Sequence, residues 1–438
     1  MLLWNSYSGA VSAFDARHRD EVLALLSPHG SSEPFGKVGE YMARRGFLVR
    51  AGTNELNSFR YQYMRQQGRQ DALQLILLAS EDCNFRCVYC YEKFERGTMG
   101  PETREGVKRL VERRAPHLTE MSVAWFGGEP LYGWEAIEEL EPCLTAAAAR
   151  HGIRFTQHMT TNGYLLTEER ATRLLGWGCS SFQITLDGLP AEHDCKRVGR
   201  DGSPTHHVIL DNLRSLAQRK EAFSVDLRVN FDRDNFPRLG EFMEAVSEDF
   251  GGDARFQMRF RAVGKWGGAN DDQLATCGVG EQKAVLRELQ KKAVEVGLAQ
   301  ESGIGGVASP GSHACYAARP YNLIVGATGK VMKCTVALYE LEENVVGQLH
   351  PDGSLELSDE RMAHWVAPHF ESDHLCKSCY VLPGCQGAAC PLSRVQTGQR
   401  TCCGVKGNLK HEMRYTLARS WGRMAPRAEA APDRAVAG

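Results

Sequence analysis

Leu73-Gln74-Leu75-Ile76-Leu77-Leu78-Ala79 leads, through Ser80-Glu81-Asp82, into Cys83-Asn84-Phe85-Arg86-Cys87-Val88-Tyr89-Cys90. The nearly unbroken apolar run predicts a strand buried on both faces, and three cysteines follow it on one short loop. Further along, strands are expected at 122–126, 155–160, 182–186, 224–231 and 255–262. Helical periodicity fills the gaps at 103–113, 134–150, 168–176, 208–218 and 238–247. Six β-α steps predict an α/β fold with parallel strands inside and helices outside, as a barrel or a doubly wound sheet. In such folds the chemistry gathers at the C-terminal ends of the strands. Four short motifs fall there. The three cysteines end the first strand, Gly127-Gly128-Glu129-Pro130 the second, Thr161-Asn162-Gly163 the third and Asp187-Gly188 the fourth.

Around residues 73–263 the chain changes character. Residues 1–72 alternate extended stretches (2–4 and 46–50) with helical ones (21–26, 38–45 and 55–67), which predicts a small α+β unit. Residues 264–314 are rich in Gly, Ala and charge, carry one helix at 280–296, and are expected to form a bridge. Residues 315–409 have little periodicity, as when metal ligation rather than an apolar core fixes a chain. Residues 410–438 are expected to finish a helix and then, after Trp421, to run out as a disordered tail of Ala, Arg, Pro and Glu.

Composition narrows the function by exclusion. Lys and Arg number 52 and Asp and Glu 54, so the formal net charge of −2 points to neither nucleic acid nor a membrane surface as partner. No apolar run approaches the roughly 20 residues that span a bilayer. The N-terminus lacks the basic start and apolar stretch of a secretion signal, so a cytoplasmic protein is expected. Of the 15 cysteines, Cys143, Cys179, Cys195 and Cys277 are scattered and read as small apolar side chains. The other eleven are clustered, which in a reducing compartment points to metal.

Three thiolates on one loop suit a four-iron, four-sulfur (4Fe–4S) cube with one iron left open, whereas structural zinc wants four ligands. CxxxCxxC after the first strand of a βα series resembles the radical S-adenosylmethionine (SAM) superfamily. The resemblance implies a partial (β/α)6 TIM-like barrel. It also implies that Cys83, Cys87 and Cys90 hold a cluster whose open iron binds SAM, which one electron cleaves to a 5′-deoxyadenosyl radical. Gly127, Gly128, Glu129 and Pro130 match the family's GGEP, with glycines that admit a ligand and a Glu129 that accepts from the SAM amino group. Tyr89 matches the aromatic near the adenine, Thr185 a polar residue near the SAM ribose or carboxylate, and Arg197 the basic partner of that carboxylate. Asn230, at the end of the fifth strand, joins them.

The C-terminal cysteines resemble the SPASM domain of radical SAM peptide maturases, whose pattern is C…GxxxxC…CxxCx5Cx3C…C and which carries two further 4Fe–4S clusters. Here Gly329 precedes Cys334 at the right spacing, and Cys376, Cys379 and Cys385 keep CxxCx5C. Four residues rather than three separate Cys385 from Cys390. By this resemblance Cys315, Cys334 and Cys390 hold the nearer auxiliary cluster. Cys376, Cys379, Cys385 and one of Cys402 and Cys403 hold the outer one. Cys402 is favoured, because Lys406 then stands where relatives carry a lysine. Sulfatase-maturing members place a base, aspartate, directly after the GxxxxC cysteine. Thr335 occupies that position and cannot take a proton at neutral pH.

The expected protein is therefore a cytoplasmic radical SAM/SPASM enzyme with three 4Fe–4S clusters, served by a flavodoxin- or ferredoxin-type electron donor. Its expected substrate is a ribosomally made precursor peptide, captured through residues 1–72 and crosslinked through a thioether or carbon–carbon bond. Epimerisation or another peptide modification, sulfatase-maturase-like oxidation, a small-molecule substrate and a zinc-binding adaptor are the alternatives.

Overall fold

The computed structural model describes residues 1–27, 36–299 and 311–424, the side chains of 417–424 excepted. The chain begins with β1 (Leu2–Trp4), β2 (Val11–Ala13), α1 (Arg19–Leu25), α2 (Lys37–Arg44) and α3 (Glu55–Gln67). There follow β3 (Ala72–Ser80), α4 (Pro101–Arg114), β4 (Glu120–Gly127), α5 (Trp134–His151), β5 (Arg154–Thr161) and α6 (Glu168–Gly176). Next come β6 (Ser181–Thr185), α7 (Pro190–Lys196), α8 (His206–Ala217), β7 (Ser224–Phe231), α9 (Leu239–Phe250), β8 (Phe256–Ala262) and α10 (Val279–Glu295). The C-terminal part adds β9 (Asn322–Val325), β10 (Lys330–Met332), β11 (Val345–Leu349) and β12 (Leu355–Leu357). It ends in α11 (Asp359–Val366), α12 (His374–Lys377), α13 (Leu382–Cys385), α14 (Pro391–Thr397) and α15 (Leu409–Met424).

Strands β3 to β8 lie side by side in chain order, all parallel, and form the expected partial (β/α)6 barrel. Strand alternation sorts their side chains. On β7, Val225, Leu227 and Val229 are buried in the main apolar core, while Asp226, Arg228 and Asn230 occupy the opposite face. That core also buries Trp125, Phe182 and Met258 completely or nearly so. Removing one such large side chain costs about 3–5 kcal/mol. The lumen is apolar on one side, where Ile76 and Leu78 meet Ile324, Met332 and Leu338. Toward β7 and β8 it is polar, and the candidate site lies there.

The cysteine-rich region departs from its expected lack of regular structure. Its strand β9 pairs in parallel with β3, Gln74 opposite Asn322 and Leu77 opposite Val325, and β10 to β12 extend the sheet as an antiparallel meander. All four residues of β9 are buried, so no alternation marks the strand. The helix of the expected bridge, α10, packs against β8 and α9 as the outer helix of the sixth β-α step. Part of that expected bridge, 300–310, lies outside the described residues. The expected tail is helical to Met424, and its remainder also lies outside them.

In the N-terminal unit β1 pairs with β2, which the sequence did not reveal, and residues 46–50 are not a strand. Gly46 adopts φ +76° directly after α2, with Gly46 N donating to Ala43 O and Phe47 N to Met42 O. This is the helix-ending turn that glycine favours, and it turns the following apolar residues away from a sheet. The unit is fastened to the far end of the chain. Phe59 and Tyr63 of α3 pack on Phe370 and Leu382, beside Cys376 and Cys379. Arg60 makes a two-pronged ion pair with Glu371, at 2.8 and 2.9 Å.

Candidate active site

The loop that carries Cys83, Cys87 and Cys90 leaves β3 and is pinned by the segment that follows α7. Arg86 N donates to Val198 O and Val88 N to Lys196 O, both at 2.9 Å, and Arg200 N to Asn84 O at 2.8 Å. Phe85 is buried beneath the loop, edge-on to Tyr164. The three thiols act on one another and are shielded from water. Burial is the first cause that raises each thiol pKa, Cys90 to about 12, so each keeps its proton until a metal displaces it.

Gly127 and Gly128 also meet a packing demand. A Cβ on Gly127 would overlap the Ser80 carbonyl oxygen, and one on Gly128 would lie 2.7 Å from the Asp82 carbonyl oxygen. Gly127 has φ +123°. The glycines thus let the turn after β4 pack on the backbone of the cysteine loop, with Gly128 N donating to Ser80 O and Glu129 N to Asp82 O. Glu129 is fully buried. Its carboxylate accepts from Leu131 N (3.0 Å), Thr161 Oγ1 (2.7 Å) and Asn162 N (2.7 Å). It therefore fastens the turn after β4 to the turn after β5, and burial outweighs these bonds in raising its pKa. Pro130 is buried at the start of a short helical turn and does not line the cavity.

Tyr89 joins the remaining expected residues. Its phenol donates to the Asp187 carboxylate and accepts from Arg197 Nη1 (2.8 Å) and Asn230 Nδ2 (3.1 Å). Asp187, also fully buried, accepts from Asn230 N at 2.7 Å, while its own N–H donates to His193 Nδ1. Burial pushes the Asp187 carboxyl up, and the Arg197 charge pulls it back. The sequence marked Asp187, with Gly188, as the motif that ends the fourth strand, without a role.

These groups surround a cavity of about 450 Å³. Its lining includes Cys83, Cys87, Cys90 and Tyr89, together with Gly127 and Gly128. Thr185, Arg197 and Asn230 complete the expected set. The lining also contains Thr335 and Val336, the two residues that follow Cys334. The Thr335 hydroxyl is hydrogen-bonded to the Tyr316 phenol at 2.8 Å, and its carbonyl accepts from Tyr91 at 3.1 Å. Three charged lining residues escaped sequence reading: Glu92, Arg228 and Arg261. Burial, with Glu81 nearby, pushes the Glu92 carboxyl up to about 8.

The C-terminal cysteines form two sets. Cys315, Cys334 and Cys390 stand close enough for the Cys334 and Cys390 thiols to raise the pKa of Cys315 to about 11, though burial is the larger cause. Cys376, Cys379 and Cys385 face a recess shared with Cys402, Cys403 and Lys406. Within it Cys403, not the favoured Cys402, is hydrogen-bonded to Cys385, which holds the Cys385 thiol down at about 6. Cys402 is exposed. Among the described residues no three Cys, His, Asp or Glu side chains converge on a single ion's position. The donor set fits a cluster of several irons, since the thiols of Cys83, Cys87 and Cys90 border an open space rather than one point.

Residues 77–246 match the Radical SAM superfamily model. That match lies within the barrel, and the family it names implies a 4Fe–4S cluster and SAM. The chain shares its fold with anSMEcpe solved with bound AdoMet, on which it superimposes at a TM-score of 0.59. That match covers 81% of this chain and 96% of the other at 17% identity. Mycofactocin maturase MftC of Mycolicibacterium smegmatis is 26% identical over 332 residues, which are 72% of this chain and 77% of that one. Radical SAM cyclopropyl synthase TigE of Paramaledivibacter caminithermalis is 28% identical over 204 residues, 42% of this chain. The chain spans only 41% of TigE. Among the described residues, no helix is long and apolar enough to cross a membrane.

Proposed function

We propose that this enzyme is a peptide maturase that crosslinks a ribosomally made precursor peptide and carries three 4Fe–4S clusters. One observation carries the reading most: a single cavity is lined both by the Cys83-Cys87-Cys90 loop and by Thr335, the residue after Cys334. In this reading Cys83, Cys87 and Cys90 hold the cluster that binds SAM. Cys315, Cys334 and Cys390 hold the nearer auxiliary cluster, and Cys376, Cys379, Cys385 and Cys403 the outer one. When bound, cluster and cofactor supply a 5′-deoxyadenosyl radical that removes a substrate hydrogen. The chain's own part is position and exclusion of water. Tyr89, Asp187, Arg197 and Asn230 shape the cofactor end of the cavity, and Gly127 and Gly128 hold the cysteine loop against β4.

The relatives lend support from their names alone, since mycofactocin maturase and cyclopropyl synthase both denote maturation chemistry. anSMEcpe has been solved with bound Cp18Cys peptide. Residues 1–72 are the proposed leader-binding unit, 73–263 the barrel domain and 315–409 the auxiliary-cluster domain. A flavodoxin- or ferredoxin-type protein is the proposed electron donor. A second reading, oxidation of a lone Ser or Cys, draws on Glu92, which places a carboxyl on the cavity wall where Thr335 does not.

Co-expression with a short peptide encoded beside this gene is the test. A product lighter by about two hydrogens per crosslink is expected, because the coupling is a two-electron oxidation. An unchanged mass with deuterium gained at Cα would mean epimerisation, and an aldehyde at a lone Ser or Cys would establish the second reading.

A further inference from the structure

The lumen facing β7 and β8 holds three arginines, of which one is matched by an acid. Arg259 Nε donates to Asp226 at 2.9 Å. Among the described residues, Arg228 bonds only Asn230 Oδ1, at 2.9 Å, and has no carboxylate within ion-pair distance. Arg261 makes no hydrogen bond or ion pair with any described residue, although it lines the cavity. Strand pairing sets Arg228 opposite Arg259 and Asn230 opposite Arg261, so the guanidiniums project from the same face within two residues of one another. Each is close enough to disfavour the Arg261 cation, whose pKa is lowered first by burial and then by Arg228 and Arg259. Arg261 is exposed to the open cavity and Arg228 half-buried, so the like charges repel one another and an anion that enters relieves them. The only carboxyl on the cavity wall is Glu92, against Arg197, Arg228 and Arg261.

SAM brings one carboxylate, and a different arginine stands ready for it. Arg197 is the guanidinium whose charge reaches the Cys87 and Cys90 thiols, and it contacts Tyr89 in the same loop. Arg228 and Arg261 rise from β7 and β8 instead. We propose that Arg228 and Arg261 bind a carboxylate of the substrate, so that the peptide segment reaching this cavity carries an acidic side chain or the free C-terminus. This rests on the cavity being the radical site. The pair would anchor the substrate by a fixed charge next to the reacting position, and a planar guanidinium suits a carboxylate in two-pronged geometry.

The test uses reconstituted, SAM-loaded enzyme treated with phenylglyoxal, with modification of Arg228 and Arg261 read by peptide mass spectrometry. Three probes are compared: acetyl-Glu-amide, with a side-chain carboxylate; acetyl-Gln, with a C-terminal one; and acetyl-Gln-amide, with neither. At least one carboxylate probe should protect both arginines about tenfold better than acetyl-Gln-amide, the worth of one or two charge-assisted hydrogen bonds. The stronger of the two identifies the source of the carboxylate. Arg261→Gln should abolish the protection of Arg228. Equal protection by all three probes, none by any, or full protection by SAM alone would overturn the proposal. If the enzyme cleaves no SAM at all, the radical-site reading fails instead, and that result is distinct from the other three.

Discussion

Tyr89 and Asp187 are 98 positions apart in sequence, yet the phenol of one donates to the carboxylate of the other. Because the same phenol accepts from Arg197 and Asn230, one hydroxyl couples the cysteine loop to the ends of β6 and β7 and to the segment after α7. Tyr89→Phe leaves two buried donors without an acceptor. The dithionite-driven rate of SAM cleavage should fall about tenfold or more, the cost of unsatisfied buried polar groups, with the iron content unchanged. A wild-type rate would show that the network does not shape the cofactor end of the cavity.

Anaerobically reconstituted protein should hold about twelve irons, and replacing Cys83, Cys87 and Cys90 together by Ala should remove about four and abolish SAM cleavage. Colourless protein with stoichiometric zinc would refute the cluster assignment.

At the outer set, the contact of Cys403 with Cys385 and the exposure of Cys402 reverse the preference drawn from Lys406. Cys403→Ala should lose auxiliary iron severely and Cys402→Ala mildly, measured as iron per chain. The opposite order would restore Cys402 as the ligand.

Removing residues 1–72 is not a clean test of leader binding. Asp71 O accepts from Thr119 N and Glu120 N, and Phe59 of α3 is 2% exposed beside Cys376 and Cys379. Phe59→Ala should destabilise the protein by about 3–5 kcal/mol and lower auxiliary iron. The exposed pair Tyr61 and Met64, changed to Ala, should leave iron and melting temperature unchanged while weakening peptide binding. Loss of iron in that double variant would assign this helix face to structure alone.

Glu141 lies behind the barrel, fully buried, where Trp125 Nε1 donates to its Oε1 and Gln157 stands beside it. Burial raises its carboxyl from the ordinary 4.5 to about 7. The folded state therefore binds this proton more tightly than the unfolded state. That stability is fully present below pH 4.5 and is lost as pH rises toward 7. The loss amounts to about 3 kcal/mol. Glu141→Gln should flatten the decline in denaturation midpoint between pH 5 and 8, a range spanning that titration. A variant whose midpoint declines as steeply as wild type would show that Glu141 does not carry the effect.

The order of strands and helices from 72 to 262 was legible because each element advertises itself locally, by apolar runs and by three- and four-residue spacing. The cysteine motifs were legible for the same reason, since their ligands lie within one short loop or a fixed count of residues. Tertiary structure alone decided what long-range contact creates. It placed β9 on the free edge of β3, 248 residues from Gln74 to Asn322. It moved Glu129 from the cavity to the joint between two turns, and brought Cys403 rather than Cys402 to Cys385. It also turned Arg228 and Arg261 into one lumen without giving either an acid. A charge reads alike in sequence whether it meets water, a carboxylate or another charge. Only the closure of the barrel determined which.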